Sequence, residues 1–272
     1  MATLREIQLC QLDILKAVVE ICDRHDIPYY LAYGTLLGAV RHKGFIPWDD
    51  DVDIYMKYDD LKRFKQICKK ELPEKYFYQD PDTDIASHWL FAKIRANGTC
   101  MSESFTANGT HADYHEGVWI DIFPMLDAAD TPEGINKQLS SLFEYQHNLF
   151  FKQPIKKDMS TPAKLITLLT NIKGGILLRR KRKIFEHLQS KNSGFSIVLG
   201  NFFFDEDTES NRKKALTDIV CHDLFVPVKY SFEDSEFSGF CDYDRYLSNK
   251  YGSDYMTPRK WSHIPNYDHV TV

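Results

Sequence analysis

Long apolar runs and paired cysteines are both missing from this 272-residue sequence. No segment is apolar over the roughly 20 residues that a membrane-spanning helix needs. The six cysteines are scattered singly, without a C-x-x-C pair. A zinc knuckle or redox motif is therefore not indicated, and we expect reduced, mostly buried thiols.

An excess of basic residues is missing as well. Lys and Arg number 34 against 39 Asp and Glu, which gives a formal net charge of −5. This balance offers no overall attraction for a polyanion, so no nucleic-acid partner is expected.

The amino-terminal segment carries charges where a signal peptide would be apolar. Arg5, Glu6, Asp13 and Lys16 interrupt residues 1–22. We therefore expect a cytoplasmic protein, either free or at the inner face of the membrane.

The sequence does contain the apolar material of a globular protein, with 43% hydrophobic residues. We expect an α/β (α+β) fold in two parts: a core at residues 1–130 and a mostly helical, partly mixed accessory region at 131–272. Periodicity predicts helices at 3–26, 36–41, 59–70, 131–151, 161–187 and 243–251, and strands at 29–33, 51–56, 88–96, 117–123, 195–204 and 222–230.

Four aspartates in five positions, Asp49, Asp50, Asp51 and Asp53, form the densest chemical signal. Carboxylates this close repel one another unless a cation neutralises them. Asp51 and Asp53 are two positions apart on a predicted strand, so both should point to one face and could share a divalent metal. The competing interpretation is a solvated acidic loop.

Three other features could complete a site for phosphate chemistry. Gly34-Thr35 follows a predicted strand and opens a short helix, where backbone N–H groups can bind phosphate oxygens. Asp121 lies among apolar residues of a strand and needs a partner, either a metal or a structural ion pair. Lys93 and Arg95 share one strand face, as phosphate-neutralising cations or as ordinary solvated charges.

Together these stretches resemble the LicD family of phosphocholine transferases, to which fukutin-related proteins are also similar. The resemblance is most specific between residues 29 and 56. It rests on Gly34-Thr35, Trp48-Asp49-Asp50-Asp51-Val52-Asp53, Lys93-Ile94-Arg95, residues 118–124 and residues 251–258.

The resemblance implies a nucleotidyltransferase-like mixed sheet flanked by helices. It implies that Asp51, Asp53 and Asp121 hold Mg²⁺, with Mn²⁺ as an alternative, and that Gly34-Thr35 binds phosphate oxygens. Asp49 and Asp50 are interpreted as outside the direct ligand set. Arg41, Lys93 and Arg95 would stabilise charge on the leaving group. Trp48 is a candidate for binding choline through its aromatic face, as are Tyr55, Trp89, Trp119 and Trp261.

The implied reaction moves phosphocholine or a related phospho-alcohol from CDP-choline or another CDP-alcohol to a hydroxyl of a cell-surface glycan, such as lipopolysaccharide or teichoic acid, or of its lipid-linked precursor, and releases CMP. A nucleotidyltransferase that moves a nucleoside monophosphate from a triphosphate and releases pyrophosphate is the alternative. A binding protein with an inactive site is a second alternative.

Residues 164–183 raise the question of a membrane partner. Leucines and isoleucines recur there at helical spacing and lead into the basic cluster 179–183. This segment could make peripheral contact with a membrane, or it could be a helix packed on the protein with a solvated basic end.

Overall fold

This computed structural model describes residues 2–101, 114–150, 152–200, 207–258 and 270–272. Helices and strands alternate along the chain, as expected for an α+β fold. In chain order they are α1 (Leu4–Arg24), β1 (Tyr30–Leu31), α2 (Tyr33–His42), β2 (Asp53–Lys57), α3 (Tyr58–Glu71), β3 (Tyr76–Gln79), β4 (Ala92–Ala96), β5 (Trp119–Asp127), α4 (Pro132–Phe150), α5 (Thr161–His187), β6 (Phe195–Val198), α6 (Glu209–Leu216), β7 (Ile219–Cys221), β8 (Pro227–Phe232), β9 (Ser235–Phe240) and α7 (Tyr243–Tyr251), with a 3-10 turn at His222–Leu224.

Contacts divide the chain into two compact units. The first unit contains residues 1–78, 92–124 and 223–272, and the second contains residues 79–91 and 125–222. The sequence suggested a linear division at residue 130. The contacts instead place the last fifty residues in the first unit. Strands and helices from both ends of the chain therefore contribute to that unit.

The first unit is built on a mixed sheet with the strand order β1-β2-β5-β4-β3. β1 pairs antiparallel with β2, and β4 pairs antiparallel with β5 so that Lys93 lies opposite Asp121. Val52, Ile54 and Met56 are fully buried, as their alternation predicts. The β8–β9 hairpin belongs to the same unit.

The second unit combines a small sheet with a helical layer. β6 pairs with the end of β5 and with β7, both antiparallel. Helices α4 and α5 pack together, with the rings of Tyr145 and Phe185 in edge contact at 5.6 Å. The predicted helices at 131–151 and 161–187 therefore match α4 and α5 closely.

The strand predictions near the acidic cluster need correction. The strand predicted at 51–56 begins only at Asp53, so Asp51 precedes it. The strand predicted at 29–33 is reduced to Tyr30–Leu31, because α2 already starts at Tyr33. The segment 222–230 is a 3-10 turn followed by β8, and β3, α6, β7 and β9 have no counterpart among the predicted segments.

Among the described parts of the chain, no helix combines the length and the apolar character that crossing a membrane would require.

Candidate active site

A cavity of about 360 Å³ opens in the first unit beside the acidic cluster. Carboxylates and aromatic rings both contribute to its lining. Its lining consists of Asp49, Asp50, Asp51 and Asp53, of Tyr33, Trp48, Tyr251 and Tyr255, and of Gly34, Leu37, Arg41, Ile46 and Thr257.

Side chains of helix α1 bond to the backbone of the acidic segment. The side-chain amides of Gln8 and Gln11 donate to the carbonyl oxygens of Asp49 and Asp50, at 2.9 and 2.7 Å. Both glutamines are buried. These bonds supply hydrogen-bond partners to backbone carbonyls that have none from a strand. They therefore help to fix the segment whose carboxylates line the cavity.

The start of α2 approaches the carboxylates very closely. A Cβ atom on Gly34 would lie 2.6 Å from Oδ2 of Asp49, so a larger residue here would displace the Asp49 carboxylate. The preceding residue, Tyr33, has a left-handed φ of 43°, which is uncommon for an aromatic residue. Backbone strain of this kind concentrates at functional sites.

Thr35 connects this turn to the carboxylate strand. Its hydroxyl oxygen accepts a 2.8 Å hydrogen bond from the backbone N–H of Asp53, and the side chain is buried. The Gly34-Thr35 turn and Asp53 are thus brought together as the sequence suggested. The Thr35 hydroxyl is engaged with the protein backbone, so its predicted contact with phosphate stays a prediction.

Asp121 lies close enough to Asp51 and Asp53 to act on both electrostatically. Its Oδ1 accepts a 2.7 Å hydrogen bond from the Lys93 ammonium, and its Oδ2 accepts a 3.2 Å bond from the Trp119 indole N–H. Lys93 is only 4% exposed. The interpretation of Asp121 as an ion-paired residue therefore describes its present contacts, and its role as a metal ligand stays a prediction.

Burial and mutual repulsion shape the acid–base properties of the cluster. Burial, followed by the charge of Asp50, raises the pKa of Asp49 to about 6. Burial and the neighbouring carboxylates, Asp49 first for Asp51 and Asp51 first for Asp53, raise the pKa of both groups well above the ordinary value. Negative charge is therefore unfavourable here without a counter-cation.

The residues present fit a hard divalent cation in chemistry and in charge. Carboxylate oxygens are the ligands that Mg²⁺ prefers, and a cation would relieve the repulsion that raises these pKa values. Within the described residues, however, no three Asp, Glu, His or Cys side chains already stand in an arrangement that could hold a metal.

The Asp49→Asn variant should stabilise the metal-free protein in a pH-dependent way. Because folding raises the pKa of Asp49 from 3.8 to about 6, ionisation of this group costs folding free energy. The cost grows between these two pH values and is constant above them. We expect a gain in Tm over wild type of at least about 2 °C above pH 6 and little gain near pH 4, measured in EDTA by thermal unfolding.

The exposed Asp59→Asn variant is the matched control for this measurement. A Tm difference for Asp49→Asn that is the same at every pH would contradict the electrostatic interpretation.

The other predicted site residues are divided between the cavity and the core. Arg41 and Trp48 line the cavity, and an Arg41 Nη donates to the carbonyl of Tyr255 at 2.7 Å. Arg95 is fully buried, donates to the Gly117 carbonyl and stacks over the Trp119 ring at 4.7 Å. Arg95 thus supports the sheet, and its predicted role in charge stabilisation stays a prediction.

The further aromatic candidates lie in different places. Tyr55 is fully buried and Trp119 is 9% exposed. Trp89 stacks on Phe91 within the second unit. Trp261 falls outside the described residues.

The carboxyl-terminal aromatic residues are the part of the site that sequence reasoning missed. Tyr251, Tyr255 and Thr257 line the same cavity as the carboxylates. Burial, followed by Tyr246 and the charge of Asp53, raises the pKa of Tyr251. Asp49 and Asp50, interpreted as outside the ligand set, also line the cavity. The only available signal was the place of residues 251–258 in the family resemblance.

Comparisons with known proteins identify the family of the chain. A family model described as "LicD/FKTN/FKRP, nucleotidyltransferase domain" matches residues 26–162, half of the chain. The chain is similar to the lipopolysaccharide cholinephosphotransferase LicD of Haemophilus influenzae, 46% identical over 86 residues, which are 32% of each chain. It is also similar to the human ribitol 5-phosphate transferase FKRP, 40% identical over 50 residues, 18% of this chain and 10% of that one. The matched segments thus span a third or less of these relatives.

Proposed function

Because the chain belongs to the LicD/FKTN/FKRP nucleotidyltransferase-domain family, we propose that it transfers a phosphorylated alcohol from a CDP-alcohol donor to a hydroxyl of a cell-surface glycan or its lipid-linked precursor. Phosphocholine is the first candidate for the transferred group. The names of two relatives, a cholinephosphotransferase and a ribitol-phosphate transferase, support this choice. The observation that carries the proposal is a cavity lined by both carboxylates and aromatic rings.

The aspartates of the cavity suit a magnesium-bound diphosphate. A diphosphate cannot approach four aspartates without a cation, so the proposal includes Mg²⁺, or Mn²⁺, held by Asp51, Asp53 and Asp121. When bound, the cation would neutralise the diphosphate and stabilise negative charge as the leaving group departs. Arg41, which lines the same cavity, would add a positive charge near the phosphates.

The aromatic rings of the cavity suit a quaternary ammonium group. Choline has no N–H to donate, so a protein recognises it through aromatic faces and nearby negative charge. Tyr33, Trp48, Tyr251 and Tyr255 supply the rings, and the aspartates supply the charge. A polyol such as ribitol would gain less from these rings, which is why we place choline first.

The proposed chemical step is a substitution at phosphorus. The acceptor hydroxyl oxygen forms a bond to the phosphorus that carries the alcohol, and the anhydride bond of the donor breaks. CMP leaves with the bonding electron pair, and the hydroxyl proton passes to a carboxylate of the cluster. The chain's residues contribute positioning and charge neutralisation, which are the main requirements of phosphoryl transfer.

A thermal-shift panel with Mg²⁺ tests the donor. We expect CDP-choline at about 100 times its Kd to stabilise the protein by about 2.7 kcal/mol, which is several degrees in Tm. CDP-ribitol and CDP-glycerol should stabilise it less. CTP and ATP serve as controls for nucleotide binding alone.

Product analysis separates this proposal from its main rival. Release of CMP from the CDP-alcohol is the expected result. Strong stabilisation by ATP alone, with pyrophosphate released from a triphosphate, would replace the proposal by a nucleotidyltransferase. No response to any CDP-alcohol would leave a binding protein with an inactive site.

A further inference from the structure

Helix α5 presents a row of large aliphatic side chains to solvent. Five of them recur at intervals of three or four residues and therefore share one face of the helix over about 17 Å. We call this row the apolar seam. It consists of Leu165, Leu168, Leu169, Ile172 and Ile176, each between 45% and 62% exposed.

The same face becomes basic towards the end of the helix. Arg179, Arg180 and Lys183 continue the spacing of the apolar seam by one and two further turns, and all three are exposed. Helix α5 contains seven Lys and Arg residues and a single acidic residue, Glu186. Its outward face thus combines aliphatic side chains with a positively charged end.

The opposite side of α5 fixes the helix to the second unit. Gly174, Leu178 and Phe185 are its buried residues. The Ser141 hydroxyl of α4 donates to the Lys181 carbonyl at 2.9 Å, and Phe185 meets the Tyr145 ring. The apolar seam is therefore directed away from the packing contacts of the helix.

A small cavity lies at the basic end of α5. It has a volume of about 140 Å³, and Lys152, Arg179 and Arg182 line it together with Asp82. Three cations against one carboxylate give this cavity a net positive charge. This charge adds to that of Arg180 and Lys183 at the same end of the helix.

We propose that α5 lies on the surface of a membrane that contains anionic lipid. The apolar seam would enter the boundary between headgroups and acyl chains, and Arg179, Arg180 and Lys183 would contact the lipid phosphates. The charge pattern favours this occupant over a second copy of the chain. A second α5 facing the first would offer no acidic row to meet the basic end, whereas an anionic membrane meets both parts of the face.

Sedimentation with vesicles tests the proposal. The full chain is mixed with vesicles of phosphatidylcholine, or of phosphatidylcholine and phosphatidylglycerol at 3:1. Both vesicles display choline, so the difference between them reports lipid charge. We expect at least about tenfold tighter binding to the anionic vesicles, and weaker binding as salt rises.

Two double variants separate the two parts of the face. Arg180→Glu/Lys183→Glu should weaken binding to anionic vesicles at least about tenfold, because it reverses two lipid-facing charges. Leu169→Gln/Ile172→Gln should weaken it by a similar factor, because it removes inserted aliphatic groups while keeping residues that favour a helix. Thermal unfolding should show both variants to be folded, since all four side chains are exposed.

Matched controls make the same chemical changes elsewhere. Lys69→Glu/Lys70→Glu at the exposed end of α3 and Val226→Gln, a residue 59% exposed, should bind vesicles like wild type. Equal binding to both vesicle types, or equal loss in the controls, would overturn the proposal. A wild-type dimer in light scattering that becomes a monomer in Leu169→Gln/Ile172→Gln would also overturn it, since the apolar seam would then be a contact between two copies.

Discussion

Asp53→Asn should lower kcat/KM for phospho-alcohol transfer by about 10²- to 10³-fold, a loss typical of removing one charge-stabilising group from an active site. Asp53 starts β2, is 7% exposed and lies within the electrostatic reach of Asp51 and Asp121. The substitution keeps the shape of the side chain and removes the negative charge that would hold a cation. The measurement is CMP release from CDP-choline in the presence of Mg²⁺.

The same variant should also lose most of the Tm increase that Mg²⁺ and CDP-choline together give the wild type. It should not unfold, because removing a charge from a repulsive cluster stabilises the metal-free protein. Asp59→Asn, at the exposed start of α3, is the control for the chemical change. An Asp53→Asn enzyme with more than about a tenth of wild-type activity would contradict the proposed metal site.

Lys93→Met should destabilise the first unit by about 3–5 kcal/mol, the usual cost of removing one partner from a buried ion pair. Lys93 contacts Asp121 at 2.7 Å, and their side chains are 4% and 13% exposed. The ammonium also lies over the Trp119 ring at 4.5 Å. Without it, Asp121 would lose its ammonium partner while remaining close to other carboxylates. Thermal unfolding should show a Tm about 10 °C lower than wild type.

A second substitution should repair part of this loss. In Lys93→Met/Asp121→Asn the carboxylate that has lost its ammonium partner is replaced by a neutral amide. About half of the lost stability should therefore return. The exposed Lys69→Met variant should show no more than a small change. An unchanged Tm in Lys93→Met would show that this ion pair does not hold the strands of the site together.

The local sequence pattern was sufficient to find the acidic part of the site. The clustered aspartates indicated a place where charge must be neutralised, and the cavity lies there. The alternation after Asp51 correctly predicted Val52, Ile54 and Met56 as core. The placement of Asp51 on the strand was wrong, because spacing alone does not show where strand pairing begins.

Contacts between distant parts of the chain could not be read from the sequence. The opposition of Lys93 and Asp121 depends on the register of β4 against β5, which neither strand specifies by itself. The bonds from Gln8 and Gln11 to the acidic segment depend on how α1 packs. A buried glutamine on a helix has the same appearance in a sequence as an exposed one.

The cavity is lined by residues 33–53 and by residues 251–257, about two hundred positions later. Under the proposed function, the rings that would receive the alcohol come from both stretches, because Tyr33 and Trp48 neighbour the aspartates in the sequence whereas Tyr251 and Tyr255 do not. An exchange of the carboxyl-terminal stretch with that of another family member is then expected to alter half of these rings, and with them the choice of alcohol, while the aspartates stay intact.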